Sequence, residues 1–347
     1  MILCKVDDLV ENNVLARPVM TDEYQILLAE GTTLKNEYIE KLKDFFIQVV
    51  YIEEKNVEEV AILKDETEVI FKNKVKEILE RHTYHNNEEL EKLSQTADNI
   101  ITDILEEEEV FQKVYDIKQR NADIYEHSVS VCTLATLIAA KLDLSREQIH
   151  DIGVGCLLHD LGIRYLTVPY DNMNLEDLKE IERAEYKKHP VYGYSALKEE
   201  NWLSEASKNI ILYHHERKDA SGYPLHATDI PFECEIVSVC DVFDELICGI
   251  GFKRLKVYEA VEYMKAYTNI FNSKIVSLFL EFTAVYPIGT QVITNQGELA
   301  VVIRQNKEFA DRPVLKVIKD KDGNMIVEEK IINLLEMHHI FIDKVLN

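Results

Sequence analysis

Glycine and proline are scarce in this chain, with 11 glycines and 7 prolines among 347 residues. So few turn-forming residues disfavour a turn-rich β protein and favour long helices. The six cysteines form no CxxC pair and most lie in apolar runs, which disfavours a zinc ribbon or a disulfide framework. No uncharged apolar run approaches the roughly 18 residues of a membrane-spanning helix, and the acidic N-terminus lacks the apolar core of a signal peptide. These absences predict a reduced, cytoplasmic protein without a membrane span.

Positive charge is also in short supply. The chain has 39 Lys and Arg against 63 Asp and Glu, a formal net charge of −24. That balance argues against polymeric nucleic acid and anionic membranes as partners. It leaves room for a small phosphorylated ligand whose charge is met locally by metal ions. The simpler interpretation, that the acidic excess keeps the protein soluble, stands beside it.

The pattern of residues divides the chain into four segments and predicts a mainly α fold. Residues 1–55 have the strand and turn signals of a small β-rich unit, and residues 56–120 have the charged amphipathic pattern of a helical linker. Residues 121–285 are predominantly helical and carry the chemistry described below. From residue 286 to 347, alternating segments such as Gln291–Thr294, separated by turns, predict a second small β-rich unit.

Histidines and carboxylates recur through the helical domain in a pattern that suits metal binding. The candidate ligands are Asp123, His127, His159, Asp160, His189, His214, His215 and Asp241. Asp123 and His127 are four residues apart, so a helix places both on one face. Mixed histidine and carboxylate ligation suits iron, manganese or zinc better than magnesium or calcium. Two such ions roughly 3.5–4 Å apart would clamp a phosphodiester and generate hydroxide at neutral pH.

Taken singly, these residues also have ordinary structural interpretations. A lone His127 on an apolar helix face is more often a hydrogen-bonded core histidine, and an isolated His189 is more often a surface residue. Asp241, in a long apolar run, either needs a buried partner or lies on a solvated helix face. Adjacent helix residues project about 100° apart, so His214 and His215 either bind different metals or reach one site from its edges.

Taken in order, the motifs resemble the HD-GYP subgroup of the HD-domain metal-dependent phosphohydrolases. The similarity covers about residues 121–270 and rests on His127, His159-Asp160, Glu185 with His189, His214-His215-Glu216, Asp219–Pro224 and Asp241–Asp244. The resemblance implies an all-helical HD-domain catalytic core with two or three transition-metal ions, most often iron or manganese. It implies hydrolysis of cyclic di-GMP to pGpG or GMP by attack of a metal-bound hydroxide. The implied partner is a small cyclic dinucleotide, and a homodimer would suit such a signalling hydrolase.

The resemblance also assigns roles by motif position. All eight candidate ligands become metal ligands, with Asp160 bridging two ions and Asp123 joining in a three-metal site. Asp160 and Arg164 take the catalytic positions. The substrate-binding positions fall to Gly222, Tyr223, Pro224, Asp244, Lys253 and Arg254.

The chain departs from the family pattern in its substrate-facing motifs. Ile163 stands where HDxGK has its lysine, and Arg164 follows; a guanidinium does not deprotonate in proteins, so Arg164 could act only electrostatically. Ala220 replaces a glycine of DGxGYP. The segment Ile250–Lys253, followed by Arg254, replaces an RPYR-like segment, and lysine offers a point charge where arginine offers a bidentate fork.

These departures predict an enzyme slower than members with the lysine and leave two alternatives open. One is a cyclic-dinucleotide-binding signalling module with little or no turnover. The other is a hydrolase of another cyclic dinucleotide or of a nucleoside phosphate. The metal-binding set is intact whereas the substrate-binding set is altered, so metal binding is the firmer prediction.

Overall fold

The computed structural model describes residues 2–6, 9, 11–20, 26–45, 47, 49–52, 61–81, 89–107, 110, 113–117, 122–306 and 309–346. Contacts divide the chain into two compact units. One consists of Met1–Ala61, Val114–Ile117 and Thr283–Asn347, and the other of Ile62–Lys113 and Lys118–Phe282. The predicted boundaries at residues 55–56 and 120–121 lie outside the described residues. The division into four segments therefore stays a prediction.

The N-terminal part of the first unit contains short strands and one helix, namely β1 (Ile2–Lys5), β2 (Val19–Met20), β3 (Ile26–Leu28), α1 (Asn36–Asp44) and β4 (Val49–Ile52). The pairs β1–β4 and β2–β3 are antiparallel. Because its apolar residues recur at helical spacing, α1 buries Ile39 and Leu42 against a small core that includes Leu15 and Val50.

Helices build the second unit, namely α2 (Asp65–Arg81), α3 (Lys92–Leu105), α4 (Ile124–Lys141), α5 (Arg146–Leu158), α6 (Glu180–Tyr186), α7 (His189–Leu197), α8 (Glu205–Tyr213), α9 (Phe232–Cys248), α10 (Val257–Ala266) and α11 (Ser273–Phe282). Helices α4 and α9 pack against each other and are buried along almost their whole length. A helix that is apolar on every side belongs in a core. The predicted mainly α fold is confirmed.

Local signals fix the ends of the core helices. Ser145 and Gln148 form a capping box at the start of α5, which satisfies two otherwise unpaired backbone N–H groups. Helix α9 ends at Gly249, whose φ of 87° lies in the left-handed region that glycine adopts without strain. These ends matter because several of the candidate ligands lie at or beside helix termini.

The C-terminal strands, which belong to the first unit, are β5 (Gln291–Thr294), β6 (Leu299–Arg304), β7 (Val314–Lys319), β8 (Met325–Asn333) and β9 (Ile342–Val345). They form an antiparallel sheet in the order β8-β7-β6-β5-β9. Val292, Val302 and Leu315 lie in its core, as the alternating pattern predicts. Among the described residues, no helix combines the length and apolar character needed to cross a membrane.

The close packing of α5 against α8 requires a glycine at position 155. A Cβ added at Gly155 would lie 2.7 Å from Cδ1 and 3.0 Å from Cβ of Ile210, whereas one added at Gly153 would meet its nearest neighbours at 3.3–3.5 Å. Overpacking typically costs about 1–3 kcal/mol. We expect Gly155→Ala to lower the free energy of unfolding by about 1–2 kcal/mol relative to Gly153→Ala, because both changes gain the same helix propensity. Denaturant unfolding measures the difference; equal stability would contradict the close packing.

Candidate metal centre

The helical unit brings seven of the eight predicted ligands into one buried cluster. His127 lies in the first turn of α4, Asp241 in the interior of α9, and the others at helix ends: His159-Asp160 after α5, His189 at the start of α7 and His214-His215 after α8. None of the seven is more than 5% exposed. Residues far apart in the sequence thus point into one interior volume.

Asp160 lies at the centre of this cluster. Its Oδ1 is 3.3 Å from Nε2 of His189 and 3.8 Å from Nε2 of His214. Its Oδ2 is 3.4 Å from Nε2 of His159 and 3.6 Å from Nε2 of His127. One carboxylate therefore faces two histidine pairs, one with each oxygen.

The seven predicted ligands that converge form two of the groups that could hold a metal ion. One group contains Asp160, His189, His214 and His215, and the other contains His127, His159 and Asp241. Within each group the ligand atoms lie within 4.8 Å of one another. Such a spacing lets a single ion contact every member of a group.

The imidazole hydrogen bonds show why a cation is needed here. Four rings use Nδ1 to contact an oxygen. Nδ1 of His127 contacts the carboxylate of Asp244. In His159, His189 and His214, Nδ1 contacts the backbone carbonyl oxygens of Cys156, Tyr186 and Ile210, respectively. A neutral ring with its proton on Nδ1 presents a lone pair at Nε2. Nε2 of His127 lies 3.2 Å from that of His159, and His189 and His214 are paired at the same 3.2 Å. Where these Nε2 atoms carry lone pairs, they face one another and nearby carboxylates, an arrangement that a proton or a metal ion between them stabilises.

Asp241 gives a second sign that the site fits a metal ion. The residue is 1% exposed, and its Oδ1 lies 3.1 Å from Nε2 of His127. Its Oδ2 is buried, 3.6 Å from Nδ1 of His215, and has no hydrogen-bond partner among the residues that the structure describes. A buried carboxylate oxygen without a partner carries a large desolvation penalty, which a bound cation would remove. Nitrogen and oxygen donors together suit a transition metal.

Electrostatics in the cluster favour ionised carboxylates. Burial opposes the charged form of Asp160 and Asp241, but the surrounding histidines hold the pKa of both carboxyls below the ordinary value. Burial also lowers the pKa of His214 to about 3. Against the same burial, hydrogen bonds with Asp241 and Asp244 raise the pKa of His127 well above its ordinary value. The positive charge among these atoms is therefore a proton or a metal ion, and the two compete.

Asp244, predicted to bind substrate, lies behind His127. It is fully buried, and its Oδ2 is 2.8 Å from Nδ1 of His127. Ser130 donates a hydrogen bond to its other oxygen. A carboxylate in this position fixes the tautomer of a ligating histidine and makes its Nε2 more basic. The geometry therefore suits Asp244 to orient His127. Because its carboxylate is fully buried, it is not exposed for contact with a substrate.

Asp123 is the one predicted ligand that the structure does not bring into the two groups. It is the N-cap of α4, where its Oδ1 accepts hydrogen bonds from the backbone N–H groups of Tyr125 and Glu126 at 3.0 and 3.1 Å. Its Oδ2 lies 2.7 Å from Nζ of Lys72. Burial lowers the pKa of Lys72, and the hydrogen bond with Asp123 opposes that shift. No motif near either residue indicates this pairing.

The segment after the His-Asp pair is a 3-10 helix over Leu161–Tyr165. Gly162 is required there because an added Cβ would overlap the carbonyl oxygen of His189. Ile163 is buried, and the guanidinium of Arg164 donates to the carbonyl of Leu79 in α2. Arg164, predicted to be catalytic, thus has its guanidinium engaged with the helix that precedes the domain.

The Gly-Tyr-Pro loop packs on the metal centre. An added Cβ at Gly222 would overlap the carbonyl oxygen of His215, and the ring of Tyr223 stacks on His215 with centroids 4.5 Å apart and planes at 25°. Pro224 is half-buried. The buried carboxylate of Glu216 accepts hydrogen bonds from the backbone N–H groups of Leu225 and Ala227, which holds the loop in place.

Lys253 and Arg254, both predicted to bind substrate, lie in the loop after α9. The side chain of Lys253 is exposed, with Nζ 4.0 Å from Oδ2 of Asp177. Nε of Arg254 donates to the carbonyl of Cys248 at 3.4 Å. Asn174 and Asn172 accept hydrogen bonds from the backbone N–H groups of Lys253 and Arg254, respectively. The loop backbone is therefore anchored while the Lys253 ammonium faces solvent.

Glu245 is a site residue that the sequence motifs do not include. It is 4% exposed, its Oε1 lies 4.0 Å from Nε2 of His215, and it forms a further group with His215 and Asp241. Burial, reinforced by the Asp241 carboxylate, raises its pKa well above the ordinary value. Its position four residues after Asp241 in α9 is a signal that could have identified it.

The Asp244–His127 contact should control metal affinity. We expect Asp244→Asn to weaken metal binding about 10–100-fold, because the amide is a poorer acceptor for the Nδ1 proton of His127. Titration against a metal chelator measures the affinity. Asp103→Asn, an exposed substitution in α3, is the matched control and should leave it unchanged. Equal affinities in the two variants would contradict the role assigned to Asp244.

Two parts of the chain match known families. Residues 113–275 match the HD domain, and residues 291–347 match the KOW domain associated with HD domain. The first match contains both ligand groups of the metal centre. The second contains strands β5 to β9.

Similar curated proteins are named as phosphodiesterases. The chain is 27% identical over 245 residues to the cyclic di-GMP phosphodiesterase PA4108 of Pseudomonas aeruginosa. The aligned residues cover 70% of this chain and 59% of that protein. It is 38% identical over 132 residues to the cyclic di-GMP phosphodiesterase response regulator RpfG of Xanthomonas campestris, covering 37% of this chain and 34% of that protein. The 3'3'-cGAMP-specific phosphodiesterase 2 of Vibrio cholerae is 29% identical over 191 residues, covering 53% of this chain and 36% of that protein. The chain thus spans less than two thirds of each relative.

Proposed function

Because the chain belongs to the HD-domain family in its HD-GYP-like form, we propose that it is a metal-dependent phosphodiesterase that hydrolyses cyclic di-GMP to pGpG, GMP or both. The observation that carries this proposal is the convergence of imidazole lone pairs and carboxylate oxygens in one buried cluster. The names of the curated relatives support the substrate.

Iron or manganese would occupy the two ligand groups. His127, His159 and Asp241 would hold one ion, His189, His214 and His215 the other, and Asp160 would be shared because each of its oxygens faces one histidine pair. Such ions, when bound, activate water at neutral pH and withdraw charge from phosphate oxygens.

The chain's own residues would position the substrate. Tyr223 covers the ring of His215 and excludes water from that side of the ligand. Lys253 forms an exposed pair with Asp177, and exposed ion pairs contribute little. Lys253 can therefore leave Asp177 to contact a phosphate of the dinucleotide, with Arg254 beside it. Neither Ile163 nor Arg164 can protonate the leaving oxygen, so we expect slower turnover than in relatives with the lysine.

A second candidate is a module that binds the cyclic dinucleotide with little turnover. The hydrogen bond from Arg164 to the Leu79 carbonyl favours the binding module. It directs the guanidinium of Arg164 to a backbone oxygen rather than to substrate. A third possibility is hydrolysis of another cyclic dinucleotide, which the 3'3'-cGAMP-specific relative favours. Substrate choice depends on loops that carry the chain's departures, so assays must include both dinucleotides.

Metal-loaded protein should convert cyclic di-GMP to linear products. We expect chromatography to show pGpG or GMP with the native chain purified anaerobically and reconstituted with Mn²⁺ or Fe²⁺. Asp160→Ala removes the carboxylate that both ion positions share, so metal content and hydrolysis should both fall to background. Asp103→Asn is the control that keeps both. Full metal occupancy with bound cyclic di-GMP and no linear product would favour the binding module, and turnover of 3'3'-cGAMP alone would change the substrate.

Lys253 provides a separate test of substrate contact. We expect Lys253→Ala to raise the KM for cyclic di-GMP about 10-fold or more with little change in kcat, because a hydrogen bond to a charged group contributes about 1.5–3 kcal/mol. Steady-state kinetics measure both constants. Lys198→Ala, which removes an exposed lysine elsewhere on the same unit, is the matched control. An unchanged KM would remove Lys253 from the substrate site.

A further inference from the structure

The buried Lys72 forms an ion pair with the half-buried Asp123, and the proposed reaction does not use this pair. Lys72 is 2% exposed, and its Nζ lies 2.7 Å from Oδ2 of Asp123. A buried ammonium is stable only when it is paired and hydrogen-bonded. Lysines are almost never buried to this extent unless they are paired, so the Asp123 carboxylate helps to hold Lys72 in place.

Asp123 has its side-chain oxygens engaged. Oδ1 caps α4 through the N–H groups of Tyr125 and Glu126, and Oδ2 binds Lys72. The backbone carbonyl of Asp123 also accepts the first helical hydrogen bond from N–H of His127, at 2.9 Å. Asp123 therefore sets where α4 begins and so where the ring of His127 stands.

Asp123 nevertheless lies close to the metal centre. Its backbone carbonyl accepts a hydrogen bond from N–H of His127, a member of one ligand group, so the two residues lie one helical turn apart. Within the described part of the chain, however, no ligand group includes Asp123. A metal ion bound to its Oδ2 would share one carboxylate oxygen with the ammonium of Lys72, and two cations at that distance repel.

Lys72 comes from outside the matched HD domain. It lies in α2, whereas the match begins at residue 113. Leu79, whose carbonyl accepts the hydrogen bond from Arg164, lies two turns later on the same helix. Residues seven apart share a helix face. One face of α2 thus supplies a cation to Asp123 and holds the side chain of Arg164.

We propose that the Lys72 ammonium takes the place of a third metal ion, so that the centre holds two ions and Asp123 is not a ligand. This inference rests on the proposed function only in taking the two ligand groups as the metal centre. The helix preceding the HD domain then determines the metal content of the site. Lys72 acts as a positioning residue, since it touches Asp123 and not the reacting atoms.

Metal content tests the proposal directly. The full chain and its variants are purified anaerobically, reconstituted with Mn²⁺ and analysed by mass spectrometry for metal per folded chain. We expect two ions in the native protein and a rise toward three in Lys72→Met, where Oδ2 of Asp123 is released. Lys76→Met, one turn later and exposed in the same helix, is the matched control and should hold two.

The double variant Lys72→Met with Asp123→Asn keeps the proposal testable if Lys72→Met alone fails to fold, because it leaves neither a buried ammonium nor a carboxylate without its partner. The amide oxygen can still cap α4, and we expect this double variant to hold two ions with affinities within about 3-fold of the native protein. Three ions in the native chain, loss of an ion in the double variant, or two ions in a folded Lys72→Met each overturns the proposal. Two bound ions without hydrolysis would refute the proposed function alone, whereas hydrolysis with three would refute this inference alone.

Discussion

The structure depends on one electrostatic constraint: several electron-pair donors converge in one buried cluster. The Nδ1 atoms of His127, His159, His189 and His214 are engaged by backbone and carboxylate oxygens, so among the residues that the structure describes their Nε2 atoms face one another and the carboxylates. Such a cluster is unfavourable without positive charge. The rest of the helical unit is arranged to hold these donors in place.

The supporting features follow from that requirement. Helices α4 and α9 are apolar on almost every side, which gives the donors a rigid and dry surround. Gly162 allows the segment after α5 to touch the backbone of α7. His189 at the start of α7 therefore lies within reach of the Asp160 carboxylate. Asp244 orients His127 from behind, and Glu216 keeps the Gly-Tyr-Pro loop against His215. Each contact restricts a ligand rather than meeting a substrate.

The ligands are predictable because their signal is local. A histidine or aspartate at the end of an apolar helical run must be paired or bind a cation if it is buried, and seven of these residues do converge. Side-chain direction is not predictable in the same way. Spacing does not reveal which way α9 is rotated, so it cannot show that Asp244 faces His127 rather than substrate.

Contacts with α2 are equally hidden in the sequence. The pairing of Asp123 with Lys72 and of Arg164 with Leu79 depends on how α2 packs, which no pattern near those residues records. The C-terminal antiparallel sheet, in contrast, is predictable because alternation and turn residues lie within each strand and its neighbours. Prediction therefore succeeds where the signal is local and fails where one helix packs on another.

The ligands are widely separated along the chain, and this has a kinetic consequence. His127 and Asp241 face each other across a separation of 114 residues. Bringing distant residues together costs loop-closure entropy, which slows the formation of such contacts. A complete donor set therefore exists only after α4, α5, α7, α8 and α9 have assembled, and the centre can capture an ion tightly only at that stage. Ion capture would act as the closing step of assembly and make the whole helical unit unfold as one body.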